Sequence, residues 1–133
     1  MMINGLDILV RSPQPGDINF LLASTLKGLY YGSRFWGEVD QVAFFNNYEP
    51  YLKQLMLRRD IKVACLSDDQ DVILGFSIFK DETLDWVFIK KSYRKLGIGK
   101  LLVPDTITTV SHITDSGNSI RKTKGWKFNP FSV

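Results

Sequence analysis

The feature that most constrains this chain is a basic turn with two glycines, Tyr93-Arg94-Lys95-Leu96-Gly97-Ile98-Gly99-Lys100. The segment 84–89 before the turn is apolar, β-branched and aromatic, and the apolar pattern after it is typical of a helix. Backbone N–H groups at the start of a helix have no partner within the helix, and the helix dipole favours negative charge there. Glycines allow a ligand to approach the backbone closely. A strand, a glycine turn and a helix in this order therefore predict an anion site, and we expect it to hold the pyrophosphate of a nucleotide-like cofactor.

The composition is typical of one globular domain, which we predict over residues 1–133. The chain is 44% hydrophobic and 23% charged. It has no apolar run near the roughly 20 residues that a membrane span needs, and its N-terminus lacks the features of a signal peptide. A single cysteine, Cys65, excludes an internal disulfide, and one His with one Cys gives no basis for a metal site. We therefore expect a cytoplasmic protein without membrane contact and without a bound metal.

Charge is distributed unevenly along the chain. Residues 1–87 carry 8 Lys and Arg against 12 Asp and Glu, whereas residues 88–133 carry 9 Lys and Arg against 2 Asp and Glu. Such a basic half is typical of a polyanion groove, of a site for one phosphorylated cofactor, or of a solvated basic face. The basic residues gather around one glycine turn and are not interleaved with aromatics, so we favour the phosphorylated cofactor over nucleic acid.

Hydrophobic periodicity and turn residues predict alternating strands and helices. The predicted strands are 6–11, 61–66, 72–79, 83–89, 111–114 and 125–128. A first helix begins at Pro15, with Gly28 and Gly32 weakening its far end, and further helices cover 40–59, 97–109 and 119–124. Pro50 and Pro104 fall inside two of them and are expected to kink or disturb them. The order β-α-α-β-β-β-α-β-α-β predicts an α/β (α+β layered) fold, with helices on both faces of a central twisted mixed sheet of about six strands.

The glycine turn, in this order of elements, resembles the cofactor motif of the GCN5-related N-acetyltransferase (GNAT) superfamily. That motif is Gln/Arg-x-x-Gly-x-Gly/Ala between the family's fourth strand and third helix, and Arg94-Lys95-Leu96-Gly97-Ile98-Gly99 fits it. Arg11 and Asp17 resemble the family's opening strand and the start of its first helix. Asn118 and the pair Gly125-Trp126 resemble its fourth-helix Asn and its terminal Gly-aromatic strand. The resemblance thus touches the chain from end to end.

The C-terminal part departs from the family pattern. The segment 119–124 is shorter than the family's and has no Tyr, and the chain stops eight residues after Gly125. This shortening is similar to that of small phage-encoded members. We therefore expect a trimmed sheet edge that a homodimer or another partner covers.

The resemblance implies that the cofactor is acetyl-CoA and that the acetyl group passes directly to a primary amine of a small molecule or a protein. Backbone N–H groups of the turn would bind the pyrophosphate, with the contacts assigned to Arg94, Lys95, Leu96, Gly97, Ile98, Gly99 and Lys100. The pantetheine arm would run between the strands 83–89 and 111–114, beside Phe88 and Ile89, and its amide would contact Asn118. A backbone N–H of the strand 83–89 would polarise the thioester carbonyl.

Direct transfer also needs a group that deprotonates the amine and a group that protonates the leaving thiolate. The family often uses a Glu at the position of Thr83, which cannot serve as a base. The nearest carboxylates are Glu82 and Asp85, and strand alternation places Asp85 on the face of Thr83 and Val87. His112 lies beside the expected path of the cofactor. The candidate catalytic residues are therefore Asp85, Glu82 and His112, and an ordinary structural role stays open for each.

The acceptor is expected to contact the aromatic residues of the first sixty positions, the region that lines the acceptor pocket in the family. We predict that Tyr30, Tyr31, Phe35 and Trp36 contact the acceptor, and the mildly acidic balance of this region suits an amine-bearing molecule. The absent Tyr and the absent base keep a second interpretation open, in which the protein has the GNAT fold without catalysis and acts as a binding or structural module. The basic half keeps a third open, a nucleic-acid-associated protein.

Overall fold

The computed structural model describes residues 1–132 and contains a mixed sheet of seven strands that follow chain order across the sheet. The strands are β1 (Met2–Ile3), β2 (Leu6–Arg11), β3 (Asp60–Leu66), β4 (Asp69–Lys80), β5 (Thr83–Ile89), β6 (Thr109–Val110) and β7 (Lys127–Phe128). The helices are α1 (Ile18–Gly32), α2 (Arg34–Gly37), α3 (Gln41–Leu57), α4 (Ile98–Leu102) and α5 (Asp115–Lys124), with single 3₁₀ turns at Pro15–Asp17 and Lys91–Tyr93. Strands β1 to β5 pair antiparallel, whereas β6 pairs parallel with both β5 and β7. The predicted fold class is confirmed.

Helices cover both faces of the sheet. On one face, α1 and α3 pack against the central strands through a core that includes Leu21, Leu55 and Phe76. On the other face, Ile98 and Leu102 of α4 pack against β2, β3 and β4. Because β4 is covered on both sides, the whole stretch from residue 73 to residue 79 is buried, which explains its nearly continuous apolar sequence.

An ion pair joins the end of β2 to the start of α1. Arg11 Nη1 donates to Asp17 Oδ2 at 2.6 Å, and the side chains are only 10% and 9% exposed. The backbone N–H of Gln14 donates to the same carboxylate oxygen at 2.7 Å. The Arg11 guanidinium holds the pKa of Asp17 below its ordinary value. The two residues that resembled a family signature thus fix the first strand-to-helix connection.

The glycines near the end of α1 serve close packing, and the helix continues through both of them. A Cβ at Gly28 would lie 2.6 Å from Cζ2 of Trp86, and a Cβ at Gly32 would lie 2.9 Å from Cγ2 of Thr114. The absence of side chains at these positions therefore allows α1 to approach β5 and the segment before α5. Helix α3 likewise continues past Pro50 to Leu57, and Asp40 caps its start by accepting the N–H of Ala43.

The predicted helix 97–109 is wrong in length, because α4 ends at Leu102. Val103 is extended (φ −99°, ψ 115°) since a residue before proline is disfavoured in the helical region, and Pro104 follows. The buried hydroxyl of Ser77 donates to the carbonyl of Leu102 at 2.7 Å and satisfies the helix end. Thr108 and Thr109 then donate to the carbonyl of Glu82, which brings the chain back to the sheet.

The predicted strand 111–114 is also wrong, since β6 occupies Thr109–Val110. The chain leaves the sheet after the N–H of Ser111 donates to the carbonyl of Leu84. Thr114 Oγ1 accepts the N–H of Gly117 at 3.0 Å, so α5 begins at Asp115 and includes the predicted loop 115–118. Gly125 ends α5 with φ 73°, the left-handed conformation that glycine adopts readily. No helix within residues 1–132 has the length and apolar character to cross a membrane.

Candidate functional site

The glycine turn presents a run of free backbone donors. Lys95 and Gly97 both have positive φ, at 65° and 88°, and α4 begins directly afterwards at Ile98. Within residues 1–132, no acceptor pairs with the N–H groups of Lys95, Leu96, Gly97, Ile98 and Gly99. Such successive donors at a helix start can bind an anion.

The structure requires glycine at Gly97 for its backbone conformation, but it does not require glycine at Gly99. Gly97 needs its left-handed conformation, which a side chain would strain whatever the space around it. A Cβ at Gly99 would meet Cδ1 of Ile89 at 3.5 Å, an ordinary contact, so the packing of the protein itself does not require glycine there. Arg94 is held beside the turn because its Nε donates to the carbonyl of Ile89 at 2.9 Å.

A groove of about 890 Å³ begins at Arg94 and follows β5. Its walls are α1, β5 from Leu84 to Ile89, the segment from Val110 to Thr114, and the first turn and body of α5. Strand β6 pairs with β5 only at Thr83 and Leu84, so beyond Leu84 no strand of residues 1–132 covers the outer edge of β5. Three of the predicted cofactor contacts, Phe88, Ile89 and Arg94, line this groove.

Asn118 lies beside the groove rather than on its wall. Its Oδ1 accepts from Nε and Nη2 of Arg121 at 2.9 and 2.8 Å, which ties it to the next turn of α5. The groove wall on α5 consists of Ser116, Gly117 and Ile120. The predicted contact of Asn118 with the cofactor stays a prediction.

A hydrogen-bonded chain of side chains lies at the far end of the groove. Tyr48 Oη contacts His112 Nε2 at 2.5 Å, His112 Nδ1 contacts Ser111 Oγ at 2.8 Å, and Ser111 Oγ donates to Asp85 Oδ1 at 2.6 Å. Arg59 Nε donates to Asp85 Oδ2 at 2.8 Å. Two of the predicted catalytic candidates, Asp85 and His112, are therefore brought together through Ser111.

Each hydrogen bond between these side chains can be assigned one donor and one acceptor. The only proton of the Ser111 hydroxyl goes to Asp85, because an ionised carboxylate only accepts. Ser111 Oγ must then accept from His112, so His112 carries its proton on Nδ1, and its Nε2 accepts from the Tyr48 hydroxyl. Burial lowers the pKa of His112 and raises that of Tyr48. Both groups are neutral at pH 7.

A β-bulge explains how Asp85 reaches this chain. Ile78 pairs with Trp86 and Phe79 pairs with Leu84, which leaves Asp85 as the extra residue of β5. The strict alternation expected for Asp85 with Thr83 and Val87 is therefore interrupted there. Glu82 is not brought to the site: it lies in the exposed turn between β4 and β5 and lines neither cavity.

A second cavity of about 380 Å³ adjoins the groove, and His112 and Ile113 line both spaces. Two of the four predicted acceptor contacts, Phe35 and Trp36, line this cavity. Tyr30 does not line it, because its ring is buried in the core and its hydroxyl donates to the carbonyl of Val39. Tyr31 is 68% exposed and accepts from Gln41 Nε2, outside both cavities.

Sequence reasoning missed three members of the hydrogen-bonded chain. Tyr48 is one aromatic residue among many in α3, Ser111 belongs to a common residue class, and Arg59 follows the end of α3 as an ordinary basic residue. A signal for Tyr48 is its spacing from the other aromatics, because Phe44, Tyr48 and Tyr51 lie on one face of a helix. No local pattern connects Arg59 to Asp85 or Ser111.

No protein-family model and no curated protein matches the sequence. Among solved structures, the chain is similar to a possible acetyltransferase from Clostridium difficile 630 (TM-score 0.53, 15% identity), covering 88% of this chain and 86% of that one. It is also similar to a GCN5-related N-acetyltransferase from Rhodopseudomonas palustris (TM-score 0.51, 17% identity), covering 94% of this chain and 71% of that one. Another similar structure is yncA, a putative acetyltransferase from Salmonella typhimurium with its cofactor acetyl-CoA (TM-score 0.47, 15% identity), with 71% of this chain and 58% of that one covered. The first two matches, together with the sheet order and the glycine turn, show that the chain has the fold of the GCN5-related N-acetyltransferases.

Proposed function

We propose that this protein is an acetyl-CoA-dependent N-acetyltransferase that passes an acetyl group directly to a primary amine. The observation that carries the proposal is the groove along β5, whose lining includes Arg94, the residue next to the run of free backbone N–H groups, and also Asp85 and His112 of the hydrogen-bonded chain. Its volume of about 890 Å³ is within the range of small-molecule sites. An elongated molecule with an anionic end and a reactive end suits this shape.

The groove and the glycine turn next to it fit coenzyme A. The free N–H groups from Lys95 to Gly99 would bind the pyrophosphate, and Lys27, which lines the groove, would supply a cation for a phosphate group. The uncovered edge of β5 near Phe88 and Ile89 offers backbone partners for the amides of the pantetheine arm. When bound, the cofactor supplies an acetyl thioester, whose carbonyl carbon accepts an amine.

His112 occupies the place where a proton must move. It lines the groove that would hold the acetyl donor and also the smaller cavity, so it lies between donor and acceptor. It is neutral because burial lowers its pKa, and it can therefore accept a proton. Asp85 and Arg59 lie behind Ser111 and would orient the imidazole through it.

The test is calorimetric titration with acetyl-CoA of the wild type, Gly99→Glu and a matched control, Gly16→Glu. Gly99→Glu places a carboxylate among the free N–H groups, where a Cβ is tolerated, so we expect the affinity for acetyl-CoA to fall at least about tenfold. Gly16 lies in open space away from the groove and adds the same charge, so its variant should bind like the wild type. If the titration of the wild type with submillimolar acetyl-CoA shows no heat of binding, the proposal is refuted.

Transfer itself is measured by thiol release and by the mass of the acetylated amine. Binding of acetyl-CoA without thiol release for any primary amine, small or on a protein, would favour the other interpretation, in which the fold acts as a binding module without catalysis. Equal affinity of Gly99→Glu and the wild type would place the anion site elsewhere.

A further inference from the structure

The smaller cavity has walls without formal charge. It lies between α1, α2 and α3 on one side and the segments at 111–113 and 128–130 on the other. Its lining consists of Leu29, Ser33, Phe35, Trp36, Tyr48, Tyr51, Ser111, His112, Ile113, Phe128 and Pro130. Within the part of the chain that the structure describes, no Asp, Glu, Lys or Arg lines it, although the sequence of this region is mildly acidic. The carboxylate of Asp85 lies behind Ser111, where Arg59 pairs with it.

The uncharged walls of the smaller cavity favour acceptors in which the part of the molecule that carries the amine is itself uncharged. Aromatic and aliphatic side chains favour an apolar or aromatic body, which they can cover after water is expelled. A second ammonium group would have to lose its water without a carboxylate to pair with, which is costly. The volume of about 380 Å³ suits a small molecule.

The hydroxyl of Tyr48 lines this cavity and contacts His112, so it can connect an amine bound there to the imidazole. Its proton is directed to His112 Nε2, so the remaining lone pairs of its oxygen can accept an N–H from the cavity. Its ring is held rigidly, stacked on Phe44 with an interplanar angle of 5° and in edge contact with Trp36 and Tyr51. A fixed ring keeps the short contact with His112 in place.

We propose that the smaller cavity is the acceptor site for a single primary amine carried on an aromatic or apolar body, and that Tyr48 Oη takes the amine proton while its own proton passes to His112 Nε2. This proposal rests on the N-acetyltransferase function proposed above and names its acceptor class. As the amine nitrogen forms the C–N bond and the C–S bond of the thioester breaks, His112 gains one proton. His112 then returns that proton through Tyr48 to the leaving thiolate, so the enzyme ends as it began.

The first test examines the hydrogen bonds that link Tyr48, His112 and Ser111 in the protein without any ligand. His112 is the only histidine of the sequence, so its ¹⁵N and ¹H ring signals are assigned without ambiguity. We expect the neutral ring at pH 8 to carry its proton on Nδ1, with Nε2 accepting from Tyr48. A neutral ring that carries its proton on Nε2 would overturn the relay, because Nε2 could then take no proton.

The second test compares 2-phenylethylamine with spermidine as acceptors. We expect kcat/KM for 2-phenylethylamine to exceed that for spermidine at least about tenfold, because the cavity cannot pair further ammonium groups. A preference for spermidine would overturn the acceptor class and leave the N-acetyltransferase function standing. Failure of the wild type to bind acetyl-CoA would instead overturn that function.

The third test is Tyr48→Phe with 2-phenylethylamine. Loss of the hydroxyl should lower kcat about 100-fold and leave the affinity for acetyl-CoA unchanged. We expect kcat of the wild type to fall on the acid side as His112 becomes protonated, and this dependence should disappear in the variant. The groups that face His112 are Tyr48 and Tyr51 of α3, Asp85 of β5 and, through Asp85, Arg59.

The matched control is Thr106→Val, which also removes one hydroxyl, at an exposed residue that lines neither cavity. It should keep the wild-type kcat and pH profile. A Tyr48→Phe variant with unchanged kcat and an unchanged pH profile would refute the role of the hydroxyl.

Discussion

The pair of Arg59 and Asp85 offers the sharpest test of the site as a structural unit. The two side chains are 8% and 1% exposed, and Arg59 Nε lies 2.8 Å from Asp85 Oδ2. In Asp85→Ala, the guanidinium stays buried without its partner and the Ser111 hydroxyl loses its acceptor. Removing one member of a buried ion pair typically costs about 3–5 kcal/mol, which is a large part of the roughly 5–15 kcal/mol that stabilises a domain. We expect Asp85→Ala to lower the free energy of unfolding by about 3–5 kcal/mol.

The assay is equilibrium unfolding in urea, followed by fluorescence and circular dichroism. Glu49→Ala is the control, because Glu49 pairs with Lys53 on the surface of α3 and both are about half exposed, so its removal should cost less than about 0.5 kcal/mol. The double variant Arg59→Met/Asp85→Ala should be more stable than Asp85→Ala, since it no longer buries an unpaired charge. If Asp85→Ala loses no more stability than Glu49→Ala, the buried pair does not stabilise the fold and the reasoning is refuted.

Two further predictions concern stability. The pKa of His112 in the folded protein lies below its ordinary value of 6.5, so the folded protein loses stability as the pH drops below 6.5. From pH 7.5 to 5.5 we expect the free energy of unfolding, measured in urea, to fall by at most about 1.4 kcal/mol because of His112. The His112→Gln variant should not show this loss, and an equal loss in His112→Gln would contradict the prediction. Gly28→Ala should lower the stability of the fold by about 1–3 kcal/mol although alanine favours helices, because its Cβ would overlap Trp86. The assay is thermal melting, and Gly16→Ala is the control because a Cβ there meets open space. A Gly28→Ala variant that is more stable than the wild type would show that α1 lies further from β5.

Local patterns were sufficient where an element depends on its own residues. The strand 83–89, the turn around Gly97 and Gly99, and the start of α3 at Asp40 follow from apolar alternation, glycine and capping. The same local reasoning was wrong at 97–109, where apolar periodicity was given more weight than Pro104, although proline disfavours the helical conformation of the residue before it. It was also wrong at 111–114, which was predicted as a short strand, whereas β6 occupies Thr109–Val110.

In the candidate site, too, some features depend on neighbouring residues in the sequence and others on contacts between distant segments. The sequence by itself determined the glycine turn, its free donors and the position of Phe88 and Ile89 at the end of the strand before it, because a strand, a turn and a helix start are contiguous in the chain. Only the tertiary structure decided which polar residues act together: a bulge turns Asp85 to Arg59 and Ser111, and the packing of α3 brings Tyr48 to His112, which is 64 residues away in sequence. It also decided that Glu82 stays outside the site and that only two of the four predicted acceptor aromatics line the smaller cavity. Contacts between distant segments depend on how helices pack on the sheet, and no local pattern encodes that packing.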